Sequence, residues 1–294
     1  MTEKERNGTR WIAALPMYDW PEVRAEVDAE WARLRGALQA RGIDAPQRLV
    51  RRNADLPPAP GGLRDADGAL IAPDPSTLPP DELDFQALWL HPQMLLAQTC
   101  WGPMELGLAR HVQAIGQPDY SAFEGGQGEF YLSAIVMRRG VSNPLEDVQA
   151  PFDGSPLVPV GLLRGRRFIY NNDDSMSGLL GLTRDLEALG ESLDVFSDRA
   201  MSGGHRASIV AIAECRADVA AIDCRSWHLA RRFEPAAENV AVVGWTGRRK
   251  GLPYITARTT PAGMVGVLRD ALAEVGMVAT SEAPAQASSR ASSG

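Results

Sequence analysis

Ile169-Tyr170-Asn171-Asn172-Asp173-Asp174-Ser175-Met176-Ser177-Gly178 decides the fold: an apolar run ends, a polar bend follows, and hydroxyl residues open the next element. Residues 166–171 read as a strand and 175–189 as a helix. At such a join the first helical N–H groups lack partners in the helix and the dipole turns its positive end outward, so an anion is favoured there. Ser and Asp are also preferred helix caps, and simple capping is the competing reading of Ser175 and Ser177.

Downstream the pattern repeats. Met201-Ser202-Gly203-Gly204-His205-Arg206-Ala207-Ser208 leads into a helix over 204–215, with two glycines that permit close backbone approach and His205 in the first turn. A Gly-rich turn with an exposed histidine is the alternative. A strand over 218–223 ends in Asp223, an acid placed to meet an ammonium group, orient a hydroxyl, or cap the next helix. With a strand over 193–196, a helix over 225–232 and a strand over 239–245, the alternation predicts a mostly parallel sheet with helices on both faces. Open sheets of this kind take ligands beyond the carboxyl ends of their strands, where both joins fall.

Upstream, residues 11–18 form an apolar run broken by Pro16, expected as a first strand. Val23, Val27, Trp31, Leu34 and Leu38 then recur at helical spacing until Gly42. A second strand is expected over 47–51, a proline-rich irregular excursion over 54–84, a helix over 87–96, and a turn over 98–102 leading to a short helix from Pro103. Strands follow over 111–116 and 129–138, the latter mixing aromatic and β-branched residues and ending at a crossing point. A strand over 252–257 and a helix over 261–275 close the pattern. Tyr18, Trp20, Tyr120 and Tyr131 fall at loops or strand ends, as walls of a small-ligand cleft would, although each also suits ordinary packing.

Composition narrows the function. The chain has 294 residues, 45% of them hydrophobic, and a formal net charge of −7, which disfavours a nucleic-acid surface. Cys100, Cys215 and Cys224 show no C-x-x-C spacing, and His91, His111, His205 and His228 form no metal-binding motif, so neither a disulfide framework nor a metal or cofactor is expected. No apolar stretch is long enough to span a bilayer. Residues 1–10 are polar and resemble no signal peptide, so the sequence as it stands reads as cytoplasmic, and as periplasmic only if a leader was removed.

Several pieces, in order, carry a family resemblance: Ala-Leu-Pro-Met-Tyr-Asp (14–19), Leu-Ala-Gln-Thr-Cys-Trp-Gly (96–102), Tyr-Leu-Ser-Ala-Ile-Val (131–136), and Asn172 with Ser175-Met-Ser-Gly178. Ser202-Gly-Gly-His-Arg-Ala-Ser208, Ala217-Asp-Val-Ala-Ala-Ile-Asp-Cys224 and Gly251-Leu-Pro-Tyr-Ile-Thr256 complete the series. Over most of residues 11–275 the chain resembles the substrate-binding components of phosphate, phosphite and phosphonate ABC transporters. The resemblance implies an α/β, two-lobed type II periplasmic-binding-protein fold, with mixed sheets, flanking helices and two crossing strands. It places lobe 1 at 11–136 plus 250–278 and lobe 2 at 137–249, with disordered tails expected at 1–10 and 280–294. It also implies that Asn172, Ser175, Ser177, Gly178, His205 and Ser208 hold an oxyanion, that Asp223 meets a ligand amine, and that Tyr18, Thr99 and Tyr131 close the cleft from the other lobe. Where relatives tend to show Cys-Gly-Tyr-Pro, this chain has Cys100-Trp101-Gly102-Pro103.

The expected function is capture of a small anionic ligand, phosphate, phosphonate or a related metabolite, by a transporter-type binding protein or a cytoplasmic sensor. Were it exported, an ABC permease would be its partner. The alternative is a cytosolic enzyme on the same fold, with Asp223, Asp19 or His205 as acid or base.

Overall fold

The computed structural model describes residues 10–140 and 147–278. The expected disordered tails therefore lie outside the described residues, except for Arg10. The first strand, β1 (Ile12–Ala14), is cut short by Pro16, after which the chain makes one 3₁₀ turn ending at Tyr18. Helix α1 (Arg24–Ala40) buries Val27, Trp31, Leu34 and Leu38 on one face.

The excursion over 54–84 contains a small hairpin, β2 (Leu63–Arg64) and β3 (Leu70–Ala72). The helix expected over 87–96 is in fact helix α2 (Phe85–Trp89) followed by strand β4 (Met94–Gln98). Pro92 is the reason, since it has no N–H to donate and drives His91 away from helical geometry. Residues 47–51 form no strand either; Val50 N–H reaches Ala13 O at 2.8 Å as an isolated bond. Helix α3 (Trp101–Glu105) and strand β5 (Val112–Gly116) follow.

Two short strands, β6 (Gly126–Gln127) and β7 (Phe130–Tyr131), lead into β8 (Ser133–Arg138). Then come α4 (Val160–Leu163), β9 (Arg167–Tyr170), a π-type turn over Met176–Leu180 running directly into α5 (Gly181–Ala188), and β10 (Asp198–Met201). Helix α6 (His205–Ala213), β11 (Val219–Asp223), α7 (Cys224–Phe233) and β12 (Val240–Trp245) complete the second half. The chain returns through β13 (Arg249–Lys250) to β14 (Tyr254–Ala257) and ends in α8 (Ala262–Glu274).

Two main sheets result, β1-β4-β14-β5 and β10-β9-β11-β8-β12. Both are mixed rather than mostly parallel. In the second, β10, β9 and β11 run parallel, while β8 lies antiparallel to both β11 and β12. The cause is connectivity: β8 arrives from the first sheet, not from a crossover helix of the second. Between the main sheets β7 pairs with β13, Tyr131 opposite Arg249, so the outgoing and returning crossings are hydrogen-bonded to each other.

Each sheet has its own outer core, one around Leu88, Trp89 and Met94, the other around Phe168, Leu182 and Leu186. The inner faces merge into a single buried cluster running from Trp31 and Leu268 through Tyr18, Tyr120 and Tyr131 to Ile222 and Trp227. That merger puts the carboxyl ends of β4, β9 and β11 around one region.

Candidate functional site

Strand β9 ends in a bend where Ser175 accepts a hydrogen bond on Oγ from Gly178 N–H at 3.0 Å. Ser175 is thus a genuine helix cap. Ser177 projects from the next position, its Oγ 3.4 Å from Ser175 Oγ and 2.9 Å from His205 Nε2. A Cβ on Gly178 would run into the Asn171 carboxamide, so any larger residue there would displace that side chain. Asn172 supplies a backbone carbonyl to Ser175 N–H at 3.1 Å, which shapes the bend.

At the second join Gly203 adopts φ +84°, the left-handed turn that glycine permits without strain. His205 begins α6, largely but not fully buried, its side chain 12% exposed. Its Nε2 also lies 3.3 Å from Asp223 Oδ2, and its Nδ1 is buried without a partner. Burial lowers the His205 pKa, opposed by the Asp223 carboxylate, so the ring is held neutral. Asp223 divides its oxygens: Oδ1 accepts from Arg225 and Ser226 N–H at 3.1 and 2.9 Å, capping α7, while Oδ2 faces His205.

Ser177, His205 and Asp223 are residue types of a hydrolytic triad, but their geometry is different. A relay needs the hydroxyl and the acid on opposite imidazole nitrogens. Here both approach Nε2. Asp19, the other proposed acid, is committed to Arg51.

The first sheet faces this cluster with hydroxyl groups. Tyr18 and Tyr120 join their hydroxyls at 3.0 Å, and Tyr120 Oη also accepts from Leu252 N–H at 3.0 Å. Gly126 and Gly251 make room for Tyr120, since a Cβ on either would strike it. Thr99 Oγ1 and Tyr131 Oη are buried without hydrogen-bond partners. Burial and then the Asp223 charge push the Tyr18 phenol pKa up; for Tyr131, burial, Cys100 and Asp223 do so in that order. The phenols stay protonated and remain donors. Burial likewise raises the Cys100 thiol pKa, which leaves it a poor nucleophile.

The two halves touch here. Met176 N–H points at Cys100 Sγ, 3.4 Å away, and a Cβ on Gly102 would run into the Asp174 carbonyl. Ser175, Ser177, Gly178, His205 and Asp223 are thus linked in one cluster, while Tyr18 and Thr99 follow β1 and β4 of the first sheet and Tyr131 lies on the crossing strand β7. Ser208 is not joined to it by a hydrogen bond: its Oγ meets Ser202 Oγ at 2.7 Å, bracing the glycine turn. Sequence reading assigned no site role to Asn171, whose Oδ1 is buried and unpartnered, or to Tyr120 beyond a cleft wall. The Gly251 pinch on the Tyr120 ring is a tertiary feature with no local signal.

Two α/β halves, two hydrogen-bonded crossings and a polar cluster where the halves meet define a bilobal solute-binding protein. Specifically, the chain belongs to the periplasmic substrate-binding proteins of phosphonate ABC transporters, whose sequence profile matches residues 108–290. No curated protein sequence gives a significant match. Among solved structures, PhnD1 from Prochlorococcus marinus in complex with methylphosphonate is similar at 14% identity and TM-score 0.58, covering 90% of this chain and 84% of that one. A binding protein component of an ABC phosphonate transporter from Pseudomonas aeruginosa shares 12% identity at TM-score 0.54, covering 92% and 80%. XAC2383 from Xanthomonas citri, bound to ATP, shares 13% at TM-score 0.53, covering 90% and 82%. At these identities the solved structures establish the two-lobed type II fold. Among the described residues no helix is long and apolar enough to cross a membrane.

Proposed function

We propose that this chain captures a phosphonate or a closely related small oxyanion between its lobes and presents it to an ABC permease, acting in the periplasm. The observation that supports this most is the cluster at the β9–α5 join. Ser175, Ser177 and a helix start come from the second half, while Thr99 Oγ1, beyond β4, and Tyr131 Oη, on the crossing strand β7, are buried hydroxyls that lack partners. A buried hydroxyl without a partner is costly, and an oxyanion would satisfy both. Neutral hydroxyl and amide donors suit an anion that must later be released. His205 Nδ1, held as an acceptor on the neutral ring, suits the protonated oxygen of a monoanion.

The lobe division read from the sequence, 11–136 plus 250–278 against 137–249, stays part of this proposal. We place the crossover itself at β7 and β13, because β8 pairs only with strands of the second sheet. Closure would hinge on those crossings.

The test is a thermal-shift and calorimetric screen against phosphate, phosphite, methylphosphonate and 2-aminoethylphosphonate. A ligand at a hundred times its dissociation constant adds about 2.7 kcal/mol of stability. At least one is expected to shift the melt, with Ser177→Ala weakening it by about tenfold or more, the worth of a hydrogen bond to a charged ligand. No shift from any of the four would sink the proposal.

A further inference from the structure

We infer that the chain carries a second small-molecule site, between α1 and α7, for an organic anion with an apolar body. A cavity of about 360 Å³ lies there, walled by Val27 and Glu30 of α1, by Phe123, and by Arg225 and Leu229 of α7. The volume falls within the usual range of small-ligand pockets.

Arg225 is the reason to read this space as a site. Its side chain is only 21% exposed, yet its guanidinium has no hydrogen-bond acceptor among the described residues, and the nearest carboxylate, Glu30 Oε2, stands 4.0 Å away. Five donors in a rigid fork, on a mostly buried side chain whose head opens into the cavity, are matched by the two oxygens of a carboxylate or phosphonate. The fork is already oriented, packed 4.4 Å from the Tyr18 ring centre and 5.8 Å from that of Phe123. Of the charged residues lining the cavity, Arg225 and Arg232 each stand 4.0 Å from a glutamate, Glu30 and Glu26, which leaves Arg33 as an excess positive charge. Val27, Phe123 and Leu229 supply an apolar wall for the body of the ligand.

Tyr18 separates this site from the Ser177 cleft: its hydroxyl meets Tyr120, while its ring face carries Arg225. The cavity draws walls from both halves of the molecule, α1 beside the first sheet and α7 beside the second. An occupant would therefore also favour their apposition.

Isothermal titration of the full chain with phenylacetate, a carboxylate on an aromatic body, tests the inference. Wild type should bind it, and Arg225→Met should weaken binding at least tenfold. Ala29→Trp, which plugs the cavity from an exposed position on its lining, should do the same without lowering the melting temperature. Ser177→Ala should leave phenylacetate binding intact. Absence of binding by wild type, indifference to both cavity variants, or loss on Ser177→Ala would each overturn it, the last by placing phenylacetate in the cleft.

Discussion

At the scale of single residues, neutral histidine is the main source of pH sensitivity. His205 is buried and its folded-state pKa lies below the ordinary 6.5; His91 and His228 are shifted the same way, all three chiefly by burial. Below about pH 6.5 the unfolded chain takes up protons that the folded chain refuses, so stability is lost as pH falls through that value. Urea unfolding at pH 7.5 and 5.5 should show this loss, up to about 1.4 kcal/mol per pH unit for each of His91 and His205 and less for the exposed, water-screened His228, and His205→Asn should flatten the slope. Gly102 makes a second prediction. A methyl group there meets the Asp174 carbonyl, which belongs to backbone and cannot swing aside. Gly102→Ala should keep the halves from seating and weaken binding of the oxyanion proposed for the cleft by about 5- to 150-fold, the equivalent of about 1–3 kcal/mol of overpacking, seen as a faster off-rate in stopped flow. The serines and Asp223 were legible as residues because strand-end position and capping chemistry are local. Gly102, Tyr120 and Arg225 owe their roles to partners distant in sequence, and nothing near them announces it.

At the scale of elements, the β9–α5 join shows one of the two roles that the sequence left as rivals and leaves room for the other. Ser175 caps the helix, and Ser177 beside it, 2.9 Å from His205 Nε2, is the hydroxyl we propose for ligand contact. Ser175→Ala should cost about 1 kcal/mol through the lost cap, lowering the melting temperature by about 2–4 °C even without ligand, as circular dichroism would record. A melting temperature unchanged by Ser175→Ala would mean that the cap contributes nothing. Elements with a buried periodic face, such as α1, β11 and β12, were readable because one pattern served both local propensity and burial. Strand β4 was hidden behind the helical spacing of Ala87 to Leu96, which Pro92 interrupts. Strand β10 was displaced from the expected 193–196 to Asp198–Met201, since all four of its residues are exposed and it carries no apolar signal. Antiparallel β8 could not be inferred from alternation alone, because its direction depends on the sheet the chain has just left.

At the scale of the whole molecule, partly exposed ion pairs tie elements of the two halves to each other. Arg206 of α6 binds Glu22, ahead of α1, at 2.9 and 3.1 Å, stacks 4.8 Å from the Trp20 ring centre, and keeps Glu234 on its own side at 2.7 Å. Arg184 of α5 pairs with Glu105 of α3. Both pairs are partly exposed, so each adds little to folding and is weakened by salt. Their effect falls on the closed arrangement, because opening breaks both pairs while leaving each half's outer core untouched. A Glu22→Gln, Glu105→Gln double variant should therefore melt close to wild type yet scatter X-rays with a larger radius of gyration at low salt. Raising the salt concentration should expand wild type toward the variant until the two curves meet. If the variant stays as small as wild type at low salt, the shared buried cluster and the contacts at Met176, Cys100 and Gly102 hold the halves together without these two ion pairs, and Arg206 and Arg184 serve only their local partners.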